Sequence, residues 1–162
     1  MEHIKHRVTF LLMLLVTSLM GCGRAEYSAE YKIPESHFVL RIELKQVNFP
    51  HAEYSRSLVI LRAGFPLLRV DLGVDIGGYT VVNLYRLPSG DYLLAHDGNP
   101  QYRVNPATGS VQADVLGLPP REERRPREAV FSGAFDFAGD HVWSFLPASQ
   151  RAERELGKLF SP

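Results

Sequence analysis

One cysteine, Cys22, occurs among the 162 residues. A single thiol forms no intramolecular disulfide, so a small fold stapled by disulfides is excluded. Charge of neither sign prevails, with 18 Lys and Arg against 18 Asp and Glu. That balance gives no electrostatic case for nucleic acid or for an anionic surface. Catalytic signatures are also missing. The chain has no Gly-x-Ser-x-Gly elbow, no Ser-x-x-Lys and no His-Glu-x-x-His. Gly77-Gly78 is not a phosphate loop, because a strand-like run follows it and no Lys-Ser or Lys-Thr does. Long apolar runs are absent except at one place, the 13 residues Val8–Met20. A helix of that length reaches roughly 20 Å, short of a hydrocarbon core of about 30 Å.

What is there begins with that run. Lys5 and Arg7 precede it as a positive n-region, and Val8–Met20 is the apolar h-region of an export signal. It ends Leu19-Met20-Gly21-Cys22. This stretch resembles the lipobox of bacterial lipoproteins: Leu, a variable residue, a small residue, then Cys. The resemblance covers the first 22 residues. It implies a diacylglycerol thioether on Cys22, cleavage after Gly21 and acylation of the new amino terminus, commonly with palmitate. The solitary cysteine fits, since an exported protein with one unpaired thiol is anomalous and lipidation uses up the sulfur. Gly23, where an Asp would favour inner-membrane retention, points to the periplasmic side of the outer membrane if the cell is Gram-negative. Removal of the first 21 of 162 residues leaves 141, enough for one domain with its own core. It also takes away two basic residues and one acidic one, so 16 stand against 17 and the formal charge becomes −1. The expected division is a signal peptide over 1–21, a lipidated tether over 22–35 and a β-rich domain over 36–162.

The domain is punctuated as a β protein. Phe38, Leu40, Ile42 and Leu44 alternate with Arg41, Glu43 and Lys45, the period of a half-buried strand. Further strands are expected over Ser57–Ala63 and Phe65–Leu72, with Gly73–Gly78 as a loop. Four more follow over Tyr79–Leu87, Asp91–His96, Gln101–Asn105 and Ser110–Leu116. Their turns, Pro88-Ser89-Gly90, Asp97-Gly98 and Asn105–Gly109, are short enough for an antiparallel meander. Asp97-Gly98, Tyr102 and Thr108-Gly109 resemble the blade hairpins of quinoprotein-type β-propellers. The match occurs once over about 20 residues, and four or more blades of about 40 residues do not fit in this length, so a propeller is excluded. A last pair is expected over Ala129–Ala138 and His141–Leu146. Ala152, Leu156 and Leu159 then have helical spacing. The expectation is an all-β or β-dominated fold of about nine strands, a sandwich or a strongly twisted sheet, with a short C-terminal helix.

Candidate chemistry is sparse. His96-Asp97 and Asp140-His141 lie at expected turns and are the first candidates for a metal or hydrolytic site. Neighbours on a strand point to opposite faces, so neither pair chelates through both members, and turn polarity is the simpler account. Asp71 and Asp75 are a further carboxylate pair. Arg121, Arg124, Arg125 and Arg127 sit among Glu122, Glu123 and Glu128 in a Pro-rich loop. Arginine forks grip carboxylates or phosphates, but mixed charge runs are usually solvated. Tyr79, Tyr85, Tyr92 and Tyr102 on adjacent strands either line a groove or cover sheet surface. No cofactor and no resident metal is expected. The leading expectation is a lipid-anchored, non-enzymatic module of the cell envelope, held to the membrane through Cys22 and acting on another envelope protein, in the manner of an immunity or inhibitor protein. The alternative is a small hydrolase or a metal- or ligand-binding enzyme built from the turns; a purely structural envelope protein is a third.

Overall fold

β2 (Phe38–Asn48) shows why the first sheet forms. Its alternating Phe38, Leu40, Ile42 and Leu44 are all buried, while Arg41, Glu43 and Lys45 look outward. Each such side chain contributes about 2 kcal/mol by leaving water. In the computed structural model, residues 26–48, 53–75, 81–96, 101–114, 128–139 and 141–152 are described. β2 lies between β1 (Glu26–Lys32) and β3 (Glu53–Arg62), and β4 (Phe65–Asp75) completes a four-stranded antiparallel sheet in the order β1-β2-β3-β4. Ala63 and Gly64, with φ of 50° and 82°, form the two-residue turn between β3 and β4. Positive φ at both positions matches the twist of a tight hairpin.

The second sheet has six strands in the order β10-β9-β5-β6-β7-β8. They are β5 (Val82–Arg86), β6 (Tyr92–His96), β7 (Gln101–Val104), β8 (Val111–Asp114), β9 (Val130–Phe137) and β10 (Trp143–Pro147). β5 to β8 are the expected meander. The Pro88-Ser89-Gly90 turn is closed by Leu87 N–H donating to the Asp91 carbonyl at 2.8 Å. Asn105 builds the next turn: its side-chain oxygen accepts from the amides of Ala107 and Thr108 at 2.9 and 3.1 Å. Such an Asx turn is what Asn-Pro sequences favour.

The two sheets pack face to face. Val82, Leu84, Leu94, Val104 and Phe135 meet Leu40, Ile42, Leu58 and Ile60 in one core. Trp143 Nε1 donates to the Ile42 carbonyl at 3.3 Å, and Tyr31 packs on Phe145 at 4.5 Å, closing the β1–β10 side. The second sheet also buries its other face, where Tyr85, Leu87, Leu93, Ala95 and Ala129 cluster. That is why Tyr92–His96 is buried throughout and shows no alternation.

Two expectations are corrected. Residues 26–32, expected as tether, are strand β1, paired with β2 from Glu26↔Lys45 to Lys32↔Val39. Tyr27, Ala29 and Tyr31 face the core at period two, and this contact outweighs the polar composition between them. β4 continues through Gly73 to Asp75, because a bulge at Leu72 absorbs the glycine. The expected C-terminal helix falls mostly on 153–162, which lie outside the described residues; before them, residues 148–150 form a turn in which the amides of Gln150 and Arg151 both donate to the Pro147 carbonyl.

The register gives the sandwich a polarity. β1 and β3 begin, and β4, β6 and β9 end, at one end, here the amino end. Tyr27 there packs on Tyr54 and Phe137, at 5.9 and 5.3 Å. The opposite, far end carries the Ala63-Gly64 turn and the Asn105 turn, tied to the β1–β2 turn by Ser36 Oγ donating to the Pro106 carbonyl at 2.8 Å.

Candidate functional site

The tyrosines do not form a groove. Tyr92 and Tyr102 are buried in the core between the sheets, and Tyr85 lies in the cluster on the other face. Tyr79 lies outside the described residues. Tyr102 donates its phenolic hydrogen to the Asp71 carbonyl at 3.0 Å and stacks on His96 with 6.2 Å between ring centres. Burial raises the Tyr102 pKa, the Asp71 charge adds to that, and the Arg56 guanidinium works against it. Arg56, Asp75 and His96 are themselves buried, each toward the end of its strand that lies at the amino end of the sandwich. Each has an interaction partner.

The two histidine candidates do not converge. His96 closes β6 facing the core, 3% exposed. His141 is exposed, with φ of 62°, in the turn after β9. Both positions belong to the amino end, yet one side chain points between the sheets and the other to solvent. Asp97 and Asp140 lie outside the described residues, and among the described residues no three His, Cys, Asp or Glu side chains group as metal ligands. Asp71 and Asp75 also part. Asp71 pairs with Ser57 on the outer face and accepts from Gly73 N–H at 2.8 Å, whereas Asp75 is opposite Tyr54 on the core face. Cys22, Arg121, Arg124, Arg125 and Arg127 lie outside the described residues.

What the sequence reading missed is the outer face of the first sheet and its edge. Ser28, Ser55 and Ser57 are small and lie side by side across β1 and β3, with β2 between them. Long side chains wall this floor: Arg69 pairs with Glu43 at 2.8 Å and Lys45 with Glu26 at 3.3 Å. The result is an open polar cleft of about 450 Å³. Arg41 bridges Glu30 at 2.6 Å above the same face. Exposed pairs of this kind are worth 0 to about 1 kcal/mol and set charge pattern more than stability.

β4 starts at the far end with Phe65 and borders the cleft through Arg69. Phe65 is 77% exposed, Leu67 54% and Leu68 37%. Among the described residues β4 pairs only with β3, so it is an edge strand. Its pairing skips Leu67 and Leu72, two bulges, and Pro66 offers no amide. Bulges and proline discourage indiscriminate edge pairing, which leaves the apolar side chains themselves as the sticky feature. The signal was present in Phe65-Pro66-Leu67-Leu68: apolar residues in a row, with a proline, do not fit one buried face.

The class this geometry defines is a two-sheet antiparallel β protein with a charged outer face and an apolar edge. Comparison with protein-family models, curated proteins and solved structures finds no match.

Proposed function

We propose that this protein is a membrane-anchored lipoprotein of the bacterial cell envelope, acting as a binding module for another envelope protein. The anchor rests on Leu19-Met20-Gly21-Cys22 and the lone cysteine. The binding role rests on one observation, the exposed Phe65, Leu67 and Leu68 on the edge strand β4. Apolar side chains gathered at a strand end, beside a polar cleft, have the make-up of a protein interface: apolar anchors and a charged rim. A partner wrapping the β4 edge would cover Phe65, in the inner row of Arg62 and Phe38, together with Leu67, and meet Arg69 and Glu43 on the outer face. An inhibitor or immunity role belongs to this class, since it needs a surface and no catalytic group.

The test is capture from envelope extract with the lipidated chain and with a Phe65→Ser, Leu67→Ser variant. The account expects one stoichiometric partner with the native chain and loss of that partner with the variant, at unchanged thermal stability. Recovery of no stoichiometric partner even after crosslinking, or equal recovery by the variant, would count against it.

A further inference from the structure

The anchor and the fold together fix which way the domain faces. Only Gly23, Arg24 and Ala25 separate Cys22 from Glu26, the first residue of β1. Four residue steps span at most about 14 Å. β1 does not peel away to lengthen this link. Glu26 is in register with Lys45, and Tyr27 is held edge-on between Tyr54 and Phe137.

We infer that the amino end of the sandwich seats directly on the phospholipid surface, with the far end standing away from it. This rests on the lipoprotein reading of Cys22. The short link sets the orientation, since exposed apolar side chains occur at both ends, Phe65, Leu67, Leu68 and Val130 toward the far one; at the amino end two are available for lipid contact. Val74 is 47% exposed and in register with Ser55, in the row of Lys45 and Glu26. Val142, in the turn beyond Phe137, is 54% exposed. Two apolar side chains suit the boundary between headgroups and acyl chains, where apolar contact is favoured; Lys45 in the Val74 row is paired with Glu26. The far end is set apart by the length of β3, ten residues and about 33 Å. Phe65 and Leu67 therefore face away from the bilayer and the amino end is occupied by lipid.

The experiment uses the full lipidated chain in phosphatidylethanolamine–phosphatidylglycerol vesicles. Cys22 is the only native cysteine and is acylated, so Val74→Cys, Val142→Cys and Leu67→Cys each add one labelling site for a fluorophore. Quenchers carried on lipid headgroups should quench labels at 74 and 142 several-fold more than a label at 67. A spacer of about ten Gly and Ser residues inserted after Ala25 lets the domain leave the surface and should bring quenching at 74 and 142 down toward that at 67. Equal quenching at all three sites, with Cys22 shown to be acylated in the same sample, overturns the seating and leaves the anchor standing. An unacylated Cys22 overturns the anchor, and the seating with it.

Discussion

The Tyr102 hydroxyl donates to the main-chain carbonyl of Asp71 at 3.0 Å, joining β7 of one sheet to β4 of the other. It is the tie that faces the β1–β10 seam across the sandwich, and it holds the strand that carries the proposed interface. Tyr102→Phe keeps the ring against His96 and removes only the hydroxyl. A hydrogen bond of this kind is worth about 1 kcal/mol net. Urea denaturation of the variant should show that loss with an unchanged slope. A stability equal to the native chain would show the bond to be idle.

Alkaline pH should weaken the fold. The pKa values of Tyr31, Tyr54 and Tyr102 are all raised above the usual 10.0, first by burial. For Tyr31 a hydrogen bond with Tyr92 adds to the shift, and for Tyr54 the neighbouring Tyr27 does. The unfolded chain then gives up its phenolic protons at lower pH than the folded one. Stability is full below pH 10 and is lost as pH rises through the raised folded values. Denaturation midpoints measured across that range should fall, and Tyr31→Phe should shrink the fall.

Gly133 is the least replaceable glycine described. Its φ is 147°, and a Cβ there would run into the Leu146 carbonyl oxygen and lie 2.7 Å from the Phe145 ring and 2.9 Å from Pro147 Cα. It sits where β9 shifts register against β5, a bulge that brings backbones close. Gly133→Ala should cost about 3 kcal/mol or prevent folding. Gly139→Ala meets nothing within 4 Å and should stay within about 0.5 kcal/mol. Parallel thermal melts of the two variants check the contrast.

The interface should separate from stability. Phe65 and Leu67 are exposed, so Phe65→Ser and Leu67→Ser remove little buried area and should leave the melting temperature within a few degrees. Both should also lower aggregation of the purified domain at high concentration, because an apolar edge is a self-association hazard. Light scattering measures this directly.

The sheets were legible where one face meets water. Phe38–Leu44 alternates because only one side of β2 is buried, and Asn105–Gly109 announces its turn through an Asx motif. β1 was legible in principle, through Tyr27, Ala29 and Tyr31, but Glu, Ser and Lys between them look like a spacer until a sheet is there to pair with. β6 was legible as a strand, yet not its two-sided burial, which depends on the cluster around Tyr85 and Leu93. The tyrosines misled for the same reason: a phenol reads as surface, and Tyr102 reaches a carbonyl on another sheet that no sequence window contains. The serine-floored cleft needs three strands in register, so it too is invisible to spacing alone. His96 and His141 share an end of the sandwich as neighbouring turns suggest, but which face each takes is settled by packing.

The proposed anchoring stands on Cys22. Intact-mass and amino-terminal analysis of the protein purified from membranes tests it most directly. The account predicts a chain beginning at Cys22, 141 of the 162 residues, carrying a thioether-linked diacylglycerol and an N-acyl chain. A chain beginning elsewhere, or beginning at Cys22 with a free thiol, would contradict it.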